Sequence, residues 1–390
     1  MKEFTCGCEK KLHRVPLETV EISENALEKL PKLLGAYRRI YLVADENTYE
    51  AAGKRTESLL REAGMWYRTC VLKTPALPTP EALGYVLVEA CDYSAPQNVM
   101  EYSPLPDYIL AVGAGTVNDL CRVASYRLHL PYGIAATAPS MDGYASALSP
   151  MILYGTKLSV KGTTPRHIIG DLSVLADAPY DMLLAGVGDM AGKYIAILDW
   201  ELARHYTGEY YCETVADMVL DATGQCVRTA YHLKERNHET IQKLMEGLMV
   251  SGLGMAYTGV SRPASGAEHM IGHVFEVMDI KAGKFPNLHG LEVGEGTLAA
   301  AYLYRRIYQE TQNRELKGLI EKYLPYFEEL DRLYQTVKIP LVVTDKKKLR
   351  DGILAARTFR KRYTVLEYLG ERGLLEQYAE DCAEQILKEG

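Results

Sequence analysis

Tyr108-Ile109-Leu110-Ala111-Val112-Gly113-Ala114-Gly115-Thr116-Val117-Asn118-Asp119 decides how the first half of this chain is read. Residues 108–112 suit a buried strand, the Gly-Ala-Gly turn follows, and a helical pattern continues to about Leu128. Glycines in such a turn let the backbone approach a diphosphate, and the helix N-terminus offers it free amides and a positive dipole. The alternative is a tight strand–helix connection that binds nothing. Asn118 stands where the usual dinucleotide fingerprint has a third glycine, and this turn follows the third countable strand rather than the first.

Working outward, residues 39–44 (RIYLVA), 66–72 and 132–136 read as further strands, with helical patterns reaching Leu60 and spanning 80–91. Strands separated by helices imply right-handed crossovers and a parallel sheet covered on both faces. From Ser146 to Ala178 the short runs 151–154, 158–160, 167–170 and 172–175 predict a hairpin or edge strands. Beyond Pro179 the apolar residues recur at helical spacing in 182–203, 215–231, 239–257 and 298–311, and onward to Gly390. A chain of 390 residues also exceeds the roughly 250–300 that one hydrophobic core supports. The expectation is an α/β N-terminal Rossmann-like parallel-sheet domain, residues 1–178, followed by an all-helical C-terminal domain, residues 179–390.

With 47% hydrophobic and 24% charged residues, the composition is that of a globular protein. A formal charge of −7 opposes the basic face that a nucleic-acid footprint needs. No apolar run is long enough to span a membrane, and Met1–Cys6 lacks a signal-peptide core, so a cytoplasmic location is expected. The eight cysteines are scattered through apolar segments, as buried thiols are. Cys6-Gly7-Cys8 has no second close pair to complete a zinc knuckle and reads as a reduced surface turn.

Several residues carry candidate chemistry. Asp45 closes the first strand, where it suits either ribose hydroxyls or the cap of the helix beginning at Asn47. The loop from Thr137 to Ser146, with Ser140 and Asp142, suits a polar ligand at the sheet's C-terminal edge, or a plain polar turn. His269 and His273 lie one helical turn apart, His289 precedes a new helix, and Asp189 sits among Gly186, Gly188 and Gly192. Two imidazoles plus a carboxylate form a common catalytic metal set with open positions; the alternatives are a solvated histidine pair and a helix cap.

The motifs GAGTVND (113–119), TAPSMDGYAS (137–146), GDMAGKY (188–194), SRPASGAEHMIGH (261–273) and NLHGLEVG (287–294) occur in that order. Together they resemble the glycerol-1-phosphate dehydrogenases, bacterial branch, of the iron-containing alcohol dehydrogenase and dehydroquinate synthase superfamily, from about residue 39 to 304. Cys6-Gly7-Cys8 is similar to that branch too, and the late glycine turn fits the superfamily. Gly-Ala-Gly departs from the Gly-Gly-Gly or Gly-Ser-Gly of many relatives, a small change.

The resemblance implies reduction of glycerone phosphate to sn-glycerol 1-phosphate by hydride transfer at C2, with NAD or NADP and one divalent metal: zinc, nickel or iron. It assigns Asp189, His269 and His289 to the metal, and Asp142 and His273 to substrate beside it, with Asp189 close. It assigns Asp45, Gly113, Ala114, Gly115, Thr116, Val117, Thr137, Ser140 and Ser146 to the dinucleotide, and the same motif carries Asn118 and Asp119. On this reading the metal is a Lewis acid, His273 supplies the proton and Asp142 orients a hydroxyl. Arg262 and Lys193 are the candidate cations for the substrate phosphate. Asp45 would repel a 2′-phosphate, which favours NAD. A homo-oligomer, dimer or larger, and a role in ether-type phospholipid synthesis are implied as well. The rivals are a glycerol or other polyol dehydrogenase, a dehydroquinate-synthase-like cyclase, and a non-catalytic metal- or nucleotide-binding protein.

Overall fold

The computed structural model describes residues 3–90 and 105–389. Its strands, in chain order, are β1 (Glu3–Thr5), β2 (Leu12–Arg14), β3 (Thr19–Ser23), β4 (Arg39–Asp45), β5 (Trp66–Leu72), β6 (Tyr108–Gly113), β7 (Tyr132–Ala136), β8 (Leu148–Leu153), β9 (Thr156–Lys161) and β10 (His167–Asp171). Six of them form one sheet in the order β3-β10-β7-β6-β4-β5, all pairings parallel. Alternate residues enter different cores: Tyr41, Val43, Ile109 and Ala111 face one, Ile40, Leu42, Leu110 and Val112 the other. Period-two side-chain alternation puts apolar groups on both faces, so both need a helical cover. Helices α1 (Lys54–Glu62), α2 (Pro80–Glu89) and α3 (Gly115–Leu128) belong to the crossovers.

The chain leaves β4 toward β5 on one side and returns to β6 on the other. Connections diverge there, which opens a crevice at the C-terminal ends of β4 and β6, the place where open α/β sheets take ligands.

Strands were expected at 39–44, 66–72, 108–112 and 132–136, and β4 to β7 occupy them. Residues 151–154 and 158–160 fall in the antiparallel hairpin β8–β9. Two expectations need correction. Residues 167–170 do not lie at an edge, since β10 pairs with both β7 and β3. Residues 172–175 lie in a short helix, Leu172–Asp177, whose Ser173 amide is capped by Asp171 at 3.2 Å. Cys91, the expected end of α2, lies outside the described residues.

The second half is helical: α4 (Tyr180–Ala191), α5 (Lys193–Thr207), α6 (Glu213–Ala230), α7 (His238–Thr258), α8 (Ala267–Lys281), α9 (His289–Glu310), α10 (Arg314–Glu321), α11 (Leu324–Val337), α12 (Lys346–Phe359) and α13 (Leu375–Glu389). The run expected at 182–203 is two helices that break at Gly192. No helix among the described residues is long and apolar enough to cross a membrane. The β1–β2 hairpin lies against the helical half, where His13 is fully buried and its Nδ1 is 3.0 Å from the Tyr257 carbonyl. Cys6-Gly7-Cys8 is therefore no free surface turn: the Cys6 and Cys8 side chains are partly buried, against His13 and Cys212.

Candidate metal and dinucleotide site

Three helices bring the metal candidates together. Asp189 lies in the interior of α4 with no exposed surface, His269 and His273 lie on one face of α8, and His289 begins α9. The ligand atoms of Asp189, His269 and His289 all fall within 4.8 Å of one another. The His269 and His289 ring centres are 5.3 Å apart, those of His273 and His289 5.0 Å.

Each imidazole is oriented by a carboxylate that the sequence reading missed. His269 Nδ1 is 2.8 Å from Glu268 Oε1, and His273 and His289 Nδ1 are 2.7 and 3.2 Å from the two oxygens of Glu276. Glu268 Oε1 also accepts the Gly266 amide at 2.8 Å, so the imidazole N–H is the donor to it. With Nδ1 protonated, Nε2 keeps its lone pair, the arrangement in which proteins present histidine to metals. His269 Nε2 then faces Asp189 Oδ1 at 3.4 Å, two acceptors in a buried place. A cation resolves that confrontation, so the residues fit a divalent ion. Burial holds the His269 imidazole well below its usual range and pushes His273 down to about 3, keeping both neutral. Burial alone would raise Glu276, but Lys157, His289 and His273 hold it well below the usual carboxylate range. Burial and neighbouring Asp199 push Glu268 up to about 8.

Lys193 is not an open cation. Its fully buried ammonium lies 2.6 Å from Asp189 Oδ1, 2.8 Å from Asp142 Oδ2 and 3.1 Å from the Ala264 carbonyl, clamping the two acids. The Asp142 amide donates to Asp189 Oδ2 at 2.8 Å, and Ser251 donates to Asp142 Oδ2 at 2.8 Å. Arg262 is elsewhere as well: its guanidinium forks onto Glu209, with Nε 2.7 Å from Oε1, and it is absent from the cavity wall. The cations on that wall beside the imidazoles are Lys157, on β9, and Arg360, just past α12. Lys157 Nζ is 2.5 Å from Glu276 Oε1.

A cavity of about 1060 Å³ opens at the C-terminal ends of β4, β6 and β7 and runs to the imidazoles. Asp45, Ala114 to Val117, Thr137, Ser140 and Ser146 line one part, and Asp142, His269, His273 and His289 another. Ala114 is extended, and among the described residues no side chain caps α3, so its first-turn amides are open to an anion. A Cβ at Gly113 would lie 2.7 Å from Val117 Cβ, so glycine is needed for the turn to close. These features fit a dinucleotide diphosphate. Asp45 serves as a cap, accepting the Thr48 amide at 2.8 Å, while still lining the cavity. Asn118 is buried behind the wall near Tyr132, and Asp119 reaches it while paired to Arg122 at 2.6 Å.

The family model of iron-containing alcohol dehydrogenases matches residues 21–179. The chain is 32% identical over 389 residues to glycerol-1-phosphate dehydrogenase (NAD(P)+) of Bacillus licheniformis, covering 95% of this chain and 93% of that one. The chain belongs to the glycerol-1-phosphate dehydrogenase family. Its likeness to the Bacillus subtilis enzyme of the same name is 34% over 361 residues, 87% of this chain and 86% of that one. The iron-containing alcohol dehydrogenase of Thermococcus thioreducens shares the fold, with a TM-score of 0.71 at 14% identity over 94% of this chain and 98% of that one. The family is one of metal-dependent, NAD(P)-linked oxidoreductases.

Proposed function

We propose that this chain interconverts glycerone phosphate and sn-glycerol 1-phosphate. Asp189, His269 and His289 hold one divalent metal, and zinc, nickel and iron all suit that ligand set. NAD(P) would be held along the crevice lined by Asp45, Ala114 to Val117, Thr137, Ser140 and Ser146, with Gly113 closing the turn behind it. The observation that carries this reading is one continuous cavity joining an uncapped helix N-terminus to three carboxylate-oriented imidazoles, with Lys157 and Arg360 beside them.

When bound, the metal supplies Lewis-acid charge at the substrate carbonyl and the dinucleotide supplies the hydride. Asp142, fixed by Ser251, Lys193 and the loop backbone, orients a substrate hydroxyl. His273 Nε2 is unprotonated at neutral pH, because burial depresses the imidazole and Glu276 holds Nδ1–H. It accepts the C2 hydroxyl proton during oxidation and returns it during reduction. Lys157 and Arg360 take the phosphate, the role expected of Arg262, whose fork is committed to Glu209. We assign residues 1–178 to the dinucleotide and 179–390 to the metal, and take the enzyme to be a cytoplasmic homo-oligomer.

The test is NADH oxidation by metal-loaded protein with glycerone phosphate and with dihydroxyacetone, and NAD reduction with glycerol. Fast turnover of the phosphorylated substrate alone is expected. Equal turnover of dihydroxyacetone or glycerol would overturn the substrate assignment, and no turnover of any would overturn the redox assignment.

A further inference from the structure

A second cluster of ligating side chains lies outside the cavity. Cys6 and Cys8 lie in the connection between β1 and β2, His13 lies on β2, and Cys212 is the residue before α6. Their ligating atoms all fall within 4.8 Å of one another. Cys6 Sγ is 3.1 Å from Cys8 Sγ, 3.2 Å from His13 Nε2 and 3.7 Å from Cys212 Sγ. His13 Nε2 is also 3.2 Å from Cys8 Sγ and 3.7 Å from Cys212 Sγ. We infer that these four residues form a closed structural site for one zinc ion, separate from the catalytic metal.

Two of the separations, at 3.7 Å, match a zinc tetrahedron, and the three at 3.1–3.2 Å would open by about 0.3–0.7 Å around the ion. A tetrahedron with Zn–S near 2.3 Å and Zn–N near 2.0 Å has edges of about 3.5–3.8 Å. A separation of 3.1 Å between Cys6 and Cys8 is far beyond the roughly 2.05 Å of a disulfide. Four converging donors, three of them sulfur, are the ligand set that selects zinc over magnesium or calcium, and they leave no open position for substrate.

The surroundings are built for the same purpose. His13 is fully buried, and its Nδ1–H donates to the Tyr257 carbonyl at 3.0 Å, which fixes Nε2 as the lone-pair nitrogen. The Phe4 ring stacks on the imidazole at 4.7 Å. The Cys8 amide donates to Cys6 Sγ at 3.4 Å, and the Tyr210 hydroxyl is 3.4 Å from Cys8 Sγ, both suited to thiolates. Cys212 is the N-cap residue of α6, so a helix of the second half fixes its position. The ion would pin the first hairpin to the helical half, joining residues 206 apart in sequence.

Cobalt substitution tests this directly, because the catalytic set contains no sulfur. Protein stripped and reloaded with Co2+ should show an intense thiolate-to-Co2+ charge-transfer band. Asp189→Asn should retain the band, and Cys8→Ser, which removes one of three sulfurs, should weaken it by about a third or more. Should Cys8→Ser fail to fold, wild-type protein still decides the matter by alkylation. Zinc-loaded protein should label at Cys6 and Cys8 roughly tenfold more slowly than chelator-treated protein. Absence of the band in cobalt-loaded wild type, equal labelling with and without zinc, or a Cys6–Cys8 disulfide in protein kept under reductant would each overturn the inference. None of these readouts depends on turnover, so they stand apart from the proposed activity.

Discussion

Replacing Gly290 by alanine should damage the catalytic centre without touching a ligand. Gly290 follows His289 in the first turn of α9, and a Cβ there would overlap the Ala185 carbonyl oxygen on α4 and lie 2.5 Å from its carbon. Ordinary carbon contacts need about 3.5–4.0 Å, so the two helices must part by about 1 Å. That parting falls between His289 on α9 and Asp189, one helical turn beyond Ala185 on α4. Overpacking of this kind costs about 1–3 kcal/mol of stability, and a 1 Å misplacement of reacting groups costs about 100-fold in rate. Gly290→Ala should therefore bind metal more weakly and lose about two orders of magnitude in kcat/KM for glycerone phosphate. Gly318→Ala is the matched control. Gly318 is exposed in the middle of α10, with nothing within 4 Å of its Cβ position, so the same change should stabilise by about 0.5–1 kcal/mol and leave turnover alone. Thermal melts with and without metal, beside steady-state NADH oxidation, read both effects. Wild-type metal affinity and activity in Gly290→Ala would refute the reasoning.

Arg360→Ala should raise KM for glycerone phosphate by about 10- to 100-fold, the worth of a charge-assisted bond of about 1.5–3 kcal/mol, and leave dihydroxyacetone nearly unaffected; equal effects would exclude a phosphate contact. Lys193→Met strands Asp142 and Asp189 side by side, which should cost metal-free protein about 3–5 kcal/mol and metal-loaded protein less, read as the difference between two melting curves. Metal-free protein should lose stability as pH falls below about 6.5, because His273 binds a proton readily when unfolded but only near 3 when folded. The loss by pH 3 is at most about 5 kcal/mol from this residue. His273→Gln should flatten that part of a urea-midpoint profile, and an unchanged slope would remove His273 as its cause.

The parallel sheet was legible because β4, β6 and β7 are short runs of apolar residues buried on both faces, bounded by charge or glycine in β4 and β6 and by Pro131 and Thr137 in β7. β3 was not, because Thr-Val-Glu-Ile-Ser lies at an edge, partly exposed, and its two apolar residues alternate over only five positions, too short a run to stand out. His269 and His273 announced themselves by helical spacing and Asp189 by its setting among glycines, whereas the family resemblance, not the residues alone, chose His269 and His289 as the imidazoles that join it. Glu276, three residues after His273, stood at visible spacing and was overlooked. Arg262, expected at the substrate phosphate, lies off the cavity wall for a different reason. Its partner Glu209 lies 53 residues away, and nothing in the local sequence marks a pairing made only by folding. Cys6-Gly7-Cys8 failed in the same way, since Cys212 approaches it only across the folded chain.

The glycines of the helical half explain why the three proposed ligands meet at all. A Cβ at Gly188 would lie 3.3 Å from the Gly290 carbonyl carbon, one at Gly272 3.0 Å from that of Glu292, and one at Gly296 3.0 Å from that of Glu268. These are backbone contacts between α4, α8 and α9, closer than side-chain-bearing helices achieve at their usual 8–10 Å. Each glycine inside a helix costs about 1 kcal/mol relative to alanine, so three of them cost about 3 kcal/mol of helix propensity. A bundle under selection for stability alone would gain by larger residues and wider spacing. Wider spacing would carry Asp189, His269 and His289 beyond reach of one ion, because short ligand bonds of about 2.0–2.2 Å leave little slack. On the proposed assignment, the close packing is a requirement of the metal centre imposed on the fold, and residues that touch neither metal nor substrate share in setting the chemistry.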